Sequence, residues 1–282
     1  MKKAGRFLRD NPRITVGLAL ISCMLLFWLV GLATIGTSKA VPISGPPDQP
    51  PSARYLLGTD SAGRQLLPVL IAGIPLTLEI GLLAGGVGLL IGALLGFSAG
   101  YFGGPVDSVI RTAADVILPI PALAVLVVIA STIHTLLSVE IMALVIASLA
   151  WMYPTRTIRA QVLSLRNRAF VEVGRFSGET HVDIIFRELM PNLLPYLAAS
   201  FVGAVGAGIL AGIGLEALGL GPQDKPTLGM TIFWAIYYGA TLRGMWWWWG
   251  PPIVVLILVF MSLFLIAQGL DRYANPRLRR TA

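Results

Sequence analysis

Long apolar runs constrain the fold of this chain more than any other feature of its sequence. The first run extends from Ile14 to Ile35 and the second from Leu76 to Ala99. Because about 20 consecutive apolar residues are long enough to cross a bilayer as a helix, each run predicts a membrane span. Only 12% of the residues are charged, which is about half of the share typical of soluble domains. The sequence therefore predicts an all-α membrane protein.

A cleaved signal peptide is the competing interpretation of the first run, since Ser38-Lys39-Ala40 places small residues at a suitable cleavage site. Signal cores contain roughly 7–15 apolar residues, and the run from Ile14 to Ile35 is longer. We therefore expect a retained first helix.

Six spans can be placed along the chain, with both termini on the same side of the membrane. The expected organisation is a tail at 1–13, a first span at 14–35, an external loop with a short helix at 36–75, a five-helix core at 76–270 and a tail at 271–282. The spans of the core are expected at 76–99, 116–133, 141–151, 193–220 and 252–270. All but five of the 21 Lys and Arg residues then lie on the side of the termini, which the positive-inside rule makes cytoplasmic.

Two further patterns predict how these helices pack. Small residues recur at four-residue spacing, which lets helices approach closely in lipid, at Gly88, Gly92, Gly96 and Gly100 and again at Ala204, Gly208 and Gly212. Asp107, Arg111 and Asp115 share one helical face, where they are expected to pair with one another.

The segment 169–195, AFVEVGRFSGETHVDIIFRELMPNLLP, is the one long polar stretch between two spans, and the charge distribution places it in the cytoplasm. It begins as a helix and is interrupted at Gly174 and Gly178. It then restarts at Thr180, whose hydroxyl is suited to cap a second helix together with Asp183.

The second helix of this segment is predicted to be short and amphipathic. Its apolar stripe at helical spacing consists of Val182, Ile185, Phe186 and Leu189. Pro191 and Pro195 are expected to end the helix, because proline lacks a backbone N–H and clashes with the preceding turn. A helix, a glycine turn and a short amphipathic helix between two spans are typical of a docking element.

The segment 169–195 resembles the EAA loop of the permease subunits of ATP-binding-cassette (ABC) importers. Glu172, Gly178 and Pro191 occupy the Glu, Gly and Pro positions of that family. Four residues depart from its pattern: Val173 and Gly174 replace two alanines, Glu188 replaces an aliphatic residue and Met190 replaces a leucine.

A second string, LGTDSAGR, lies between the first and second spans. Thr59 or Asp60 is predicted to cap a short helix that runs on through Leu70. The string resembles the LGTDxxGR motif of the peptide and nickel branch of ABC permeases, although that branch usually continues with Asp where this chain has Gln65. The residues that carry this resemblance are Gly58, Thr59, Asp60, Gly63 and Arg64.

The resemblance implies a type I ABC importer permease with six transmembrane helices and cytoplasmic termini, in a prokaryotic plasma (inner) membrane. It implies peptide cargo, a heterodimer with a sister permease, one or two cytoplasmic ATP-binding subunits and an extracytoplasmic substrate-binding protein. ATP and Mg would be bound by the partner subunits, and no cofactor by this chain. The residues of the implied ATPase-coupling loop are Glu172, Gly178, Glu179, Thr180, His181, Asp183 and Pro191.

No enzyme chemistry is recognisable in the sequence. It contains neither a GxxxxGKS nor a GxxxxGKT phosphate loop, and no nucleic-acid-binding motif. Cys23 is its single cysteine. His134 and His181 fall on opposite sides of the predicted membrane, so no metal site is expected. We therefore expect no catalytic residue, no metal ligand and no nucleic-acid partner, with membrane lipid around the spans.

Other functions are compatible with the sequence. The same architecture could import nickel or another small solute. An ion-gradient-driven secondary transporter is a further alternative, but such carriers usually place carboxylates deep in the membrane, whereas Glu79 and Glu216 are expected near the outer face. A membrane scaffold or sensor would account for neither of the two motifs.

Overall fold

The computed structural model describes residues 11–133 and 137–274, which form helices joined by loops. The helices are α1 (Pro12–Thr34), α2 (Leu66–Phe102), α3 (Gly104–Ile117), α4 (Ala122–Ser131), α5 (Val139–Ala150), α6 (Met152–Leu165), α7 (Ala169–Phe176), α8 (His181–Ala217), α9 (Leu228–Tyr237) and α10 (Trp246–Ala274). Within the described residues, α1, α2, α8 and α10 are long and apolar enough to cross a membrane. The bent pairs α3–α4 and α5–α6 raise the number to six if each pair is one span. The predicted all-α membrane fold is confirmed.

The central helix of the bundle is α2, which packs against α5, α6 and α8. Its glycines let the neighbouring backbones come close. A Cβ added at Gly88 would lie 2.5 Å from the Cβ of Ala150, and one added at Gly85 would lie 2.6 Å from the carbonyl carbon of Ala204. Both distances are too short for any side chain, so the predicted close packing of small residues is confirmed.

Contacts between helices define two ends of the bundle. α1 packs along α10, and a Cβ added at Gly269 would contact Ile14, while Gly31 near the other end of α1 lies against Ile71 at the start of α2. The loop that precedes α2 lies at the Ile71 end. α7 and the start of α8 lie at the opposite end, beside the last residues of α2. The two ends therefore carry the segments that the sequence assigns to opposite sides of the membrane.

The second span begins earlier than predicted, and the short helix expected in the loop 36–75 is not a separate element. α2 starts at Leu66 after Gln65, which provides no side-chain cap, and it continues through Pro75. Pro68 lies in the first turn, where backbone N–H groups have no intrahelical partner and proline is tolerated. The predicted short helix is therefore the first part of the long span.

The third and fourth spans are bent rather than straight. α3 and α4 meet at 85°, and α5 and α6 meet at 44°. Pro119 and Pro121 lie in the first break, where they prevent a continuous helix. The predicted third span at 116–133 therefore combines the end of α3 with all of α4.

Asp107 pairs with a neighbouring helix, not with the charged residues of its own face. The Nε and Nη2 atoms of Arg159 in α6 both donate hydrogen bonds to its carboxylate, the second over 2.6 Å. The expected pairing among Asp107, Arg111 and Asp115 is thus corrected: the described ion pair ties α3 to α6. Helical spacing within one segment does not reveal a partner that tertiary packing supplies.

Pro191 and Pro195 do not end the helix in which they lie. α8 continues through both prolines: a π-helical turn, Ile184–Leu189, directly precedes Pro191, and Pro195 lies inside the regular helix that follows. In this turn the N–H of Met190 donates to the carbonyl oxygen of Ile185, five residues earlier. The wider turn relieves the clash that a proline ring makes with a regular α-turn. The predicted docking helix and the fifth span are therefore one continuous helix.

The last span also begins earlier than predicted. α10 starts at Trp246, ahead of the expected Pro252, and it holds Pro251 and Pro252 in its first turns. The tails predicted at 1–13 and 271–282 lie largely outside the described residues.

Candidate functional site

The segment 169–195 follows α6 and consists of α7, a turn and the first part of α8. α7 is followed by a turn at Gly178, whose φ of +79° lies in the left-handed region that favours glycine. A Cβ added at Gly178 would meet no atom within 4 Å. The glycine is therefore required by the backbone conformation of the turn and not by packing.

Three buried side chains anchor this segment to the bundle. Val171, Ile184 and Leu189 are at most 1% exposed and pack in one apolar cluster with side chains of α2 and α6. Burying one such side chain stabilises a fold by about 1.5–3 kcal/mol. These contacts therefore fix the position of the segment relative to α2 and α6.

Four apolar side chains of the same segment are exposed, and we call them the apolar patch. They are Val173, Phe176, Val182 and Phe186, between 53% and 91% exposed. The predicted stripe is therefore divided, since Val182 and Phe186 belong to the patch whereas Leu189 is buried. The π-helical turn changes the angular spacing of side chains, so a period of 3.6 residues does not describe this stretch.

The predicted cap at Thr180 is confirmed. Its hydroxyl accepts a hydrogen bond from the N–H of Asp183 over 3.2 Å and donates one to the Asp183 Oδ2 over 2.6 Å. The Nε atom of Arg187 lies 3.4 Å from the other carboxylate oxygen of Asp183. Thr180 and Asp183 thus fix the turn relative to the start of α8.

His181 joins the segment to the end of α2. Its Nδ1 lies 2.9 Å from the hydroxyl oxygen of Tyr101, and the rings of Tyr101 and Phe102 meet its ring edge-on. The guanidinium of Arg175 lies over the Tyr101 ring, 5.6 Å from its centroid. These contacts connect both helices of the segment to α2.

Gly174 accounts for one departure from the EAA pattern. It is buried, and a Cβ added there would lie 2.9 Å from Oε2 of Glu179. The glycine therefore leaves room for the Glu179 carboxylate, which an alanine would displace. Glu172 is exposed and its side chain makes no hydrogen bond to a described residue, and Pro191 is exposed in the first turn of the regular part of α8.

The second motif folds into a closed turn at the opposite end of the bundle. Asp60 is fully buried, and its Oδ1 accepts hydrogen bonds from the N–H groups of Ala62 and Arg64 over 2.9 and 2.8 Å. Its Oδ2 accepts from Nε of Arg64. Gly58 and Gly63 adopt φ values of +69° and +73° on either side of Asp60. Asp60 therefore closes this turn and does not cap α2.

Two side chains next to this turn hold the surrounding loop. Thr59 Oγ1 donates to the carbonyl oxygen of Pro46 over 2.6 Å and accepts from the N–H of Gln49 over 2.9 Å. Asp48 forms an ion pair with Arg243, which lies between α9 and α10. Hydrogen bonds within the loop thus stabilise its conformation, and the ion pair connects it to the segment between α9 and α10.

The ionisation of Asp48 reflects these contacts. Partial burial raises the pKa of its carboxyl group, but hydrogen bonds from Arg243 and Ser61 and the positive charge of Arg243 outweigh burial. The pKa of Asp48 therefore lies below its ordinary value of 3.8.

A buried carboxylate joins three helices near the same end. Glu216 in α8 is 1% exposed and accepts a hydrogen bond from the hydroxyl of Thr227, the cap of α9. The next residue, Leu228, donates its N–H to the hydroxyl of Thr77 in α2 over 2.9 Å. Sequence reasoning located Glu216 only at the end of a span, because its partner Thr227 lies in a different helix.

The described part of the chain contains no group of three His, Cys, Asp or Glu residues that could hold a metal ion. His134, which entered the sequence argument against a metal site, lies outside the described residues.

Residues 88–280 match the model of a protein family described as the binding-protein-dependent transport system inner membrane component. The chain belongs to this family. The family membership predicted from the two motifs, that of an ABC importer permease, is confirmed.

Curated relatives of this inner membrane component are permease proteins. The dipeptide transport system permease protein of Bacillus subtilis is 29% identical over 98% of this chain and 86% of its own length. The oligopeptide transport system permease protein of Lactococcus lactis subsp. cremoris is 30% identical over 81% of this chain and 77% of its own length. The corresponding protein of Mycobacterium tuberculosis is 30% identical over 62% of this chain, and the match spans 60% of that protein.

Sequence reasoning about this inner membrane component missed the exposure of Phe176 and Val173. The available signal was their position: both flank the glycine turn within a polar segment. Apolar side chains next to such a turn have few neighbours with which to pack, so exposure at the end of α7 could have been expected.

Proposed function

We propose that this chain is a permease subunit of an ATP-driven peptide importer and forms one half of its translocation path. The observation that carries the proposal is the apolar patch, which is exposed on a segment anchored to α2 and α6. Apolar groups that are exposed on one short segment outside the membrane are suited to an interaction surface. The described helices and the family description of an inner membrane component support a multi-pass transport subunit.

Peptides are the proposed cargo. The printed names of the relatives in Bacillus subtilis and Lactococcus lactis refer to dipeptide and oligopeptide transport, which supports this class of cargo over nickel.

The proposed complex contains a sister permease, one or two ATP-binding subunits and an extracytoplasmic binding protein. The ATP-binding subunits would cover the apolar patch and would themselves bind ATP and Mg. The distribution of Lys and Arg supports an orientation in which the patch is cytoplasmic. The bacterial sources of the relatives support a prokaryotic inner membrane.

In the proposed mechanism, closure of the ATPase subunits moves the region 178–183 together with the apolar patch. The cap at Thr180 keeps the turn and α8 in fixed relation, and the hydrogen bond between His181 and Tyr101 connects them to α2. Rigid-body motion of packed helices would then open the path on alternate sides of the membrane.

Affinity purification of the tagged full chain from mild detergent, followed by mass spectrometry, tests this proposal. We expect a second multi-span permease and an ATP-hydrolysing subunit to copurify. Absence of any ATPase under all detergent conditions would contradict the proposal. Uptake that an uncoupler abolishes and that needs no ATPase would support a secondary transporter instead.

A further inference from the structure

A cavity of about 610 Å³ lies among α4, α8 and the junction of α5 with α6. Leu126, Ile146 and Ala211 contribute to its apolar wall. Its volume falls within the roughly 300–1,000 Å³ that is typical of small-ligand sites. Size and lining therefore suit a small molecule that carries apolar groups.

Both helix breaks border this cavity. Ile120, in the 85° break between α3 and α4, and Tyr153, next to the 44° bend between α5 and α6, are among the lining residues. A break leaves backbone groups outside the helical hydrogen-bond ladder. Such backbone is tolerated in a membrane only where protein buries it or where it lines a water-filled cavity. Two breaks at one cavity are therefore consistent with a water-filled space between the spans.

Polar side chains also line the cavity. Thr157, Tyr196 and Ser200 contribute hydroxyl groups, and Asp271 is the only charged residue among the described residues that line it. None of the ion pairs among the described residues includes Asp271. Asp271 lies two residues beyond Gly269, at the bundle end that carries the apolar patch. A carboxylate that lines a cavity at the cytoplasmic end of a span is suited to bind a cationic group of a solute.

We propose that this cavity is a peptide-binding site on the translocation path, in which Asp271 binds the ammonium group of a peptide and the apolar wall receives an adjacent side chain. The choice of a peptide rests on the proposed function. An ammonium group donates three hydrogen bonds, and a carboxylate among hydroxyl groups supplies matching acceptors. An anionic lipid headgroup would be repelled by Asp271, so the carboxylate favours a peptide over such a lipid.

Equilibrium binding of radiolabelled trileucine to the purified complex of permeases and ATP-binding subunits, freed of the extracytoplasmic binding protein, tests the role of Asp271. Asp271→Asn retains the shape of the side chain and removes its charge, so we expect an affinity about tenfold weaker. N-acetyl-trileucine lacks the ammonium group and should bind equally to the wild type and to Asp271→Asn. Asp224→Asn changes an exposed carboxylate outside the cavity and should leave the affinity for trileucine unchanged.

A matched pair of glycine variants tests the cavity itself. Gly203 lines the cavity, and a Cβ added there meets no atom within 4 Å, so Gly203→Leu should fill part of the space and weaken binding. Gly206 lies one turn along α8 and is not a lining residue, and a Cβ added there would lie at an ordinary 3.8 Å from Leu263. Gly206→Leu should therefore leave binding unchanged.

Equal affinity of the wild type and Asp271→Asn for trileucine, or no saturable binding by the wild type, would overturn the cavity proposal. Loss of the sister permease from the Gly203→Leu preparation would also overturn it, because this face would then be a subunit interface. ATP-driven uptake by proteoliposomes made from the same wild-type complex tests the proposed function separately. Charge-dependent binding without uptake would contradict the proposed function and leave the binding site supported.

Discussion

The loop before α2 and the segment 169–195 both carry motifs of the ABC permease family, but they use polar and apolar groups in opposite ways. In the loop, Asp60 is buried and its carboxylate accepts three hydrogen bonds from its own turn. In the segment, Phe176 is 91% exposed and the other patch residues are also open to the surroundings. The polar groups of the first motif form their hydrogen bonds within the chain, whereas the second motif exposes apolar side chains that a partner could cover.

The difference separates a structural motif from a docking motif. Buried polar groups that are fully hydrogen-bonded specify the shape of a loop without help from another protein. Exposed apolar groups contribute to stability only when a second surface removes them from water. Substitutions in the loop should therefore change the stability of the isolated chain, and substitutions in the segment should change its function in a complex.

The largest expected effect follows from Asp60→Ala. The substitution leaves two buried N–H groups and the guanidinium of Arg64 without their acceptor, which should cost about 3 kcal/mol of stability. The thermal unfolding midpoint of the purified chain in detergent measures the loss. Asp224→Ala, at an exposed position, serves as the control. A midpoint for Asp60→Ala equal to that of the control would contradict a structural role of the motif.

An intermediate effect is expected from Gly178→Val. Forcing a β-branched residue into the left-handed region costs about 1–2 kcal/mol, and a change of this size in the turn should lower uptake roughly tenfold. The protein should still reach the membrane, since no atom blocks the new side chain.

Gly239→Val is the matched control, because Gly239 also has a positive φ, of +68°, and open space around it, but lies at the other end of the bundle. ATP-driven uptake is measured for both variants in proteoliposomes of the whole complex. Equal uptake by both variants would show that the conformation at Gly178 has no special role in coupling.

The smallest effect is expected from removing the ion pair between Asp48 and Arg243. Both side chains are partly exposed, so the pair contributes at most about 1 kcal/mol. Because the pKa of Asp48 is lowered in the folded protein, the contribution is present above the ordinary pKa of 3.8 and is lost as pH falls through the lower folded value. The difference in unfolding midpoint between the wild type and Asp48→Asn should therefore be constant near neutral pH and disappear under acid conditions. A difference that grows as the pH falls would contradict this account.

Local features of both regions followed from the sequence. The cap formed by Thr180 and Asp183 needs only residues three positions apart, and the close approach at Gly88 follows from a four-residue spacing of small residues. Each depends on neighbours along the chain, which a sequence pattern records directly.

Features that depend on distant residues could not be predicted in this way. Asp107 pairs with Arg159 in another helix. The carboxylate of Asp60 accepts hydrogen bonds within its own turn, whereas the capping pattern predicted that it or the preceding threonine would cap the helix that follows. The π-helical turn Ile184–Leu189 carries Pro191 into a continuous helix. This turn could not be read from the sequence pattern, so the local helix-breaking tendency of proline was a poor guide.

Site-specific photo-crosslinking in intact cells tests the central claim most directly. A photoreactive amino acid is placed at Phe176 in one variant and at Leu242 in another, since these side chains are 91% and 93% exposed and lie at opposite ends of the bundle. The account predicts that position 176 crosslinks to an ATP-hydrolysing subunit and that position 242 does not. Absence of that crosslink from position 176, or an equal crosslink from position 242, would contradict the assignment of the apolar patch as the ATPase-docking surface.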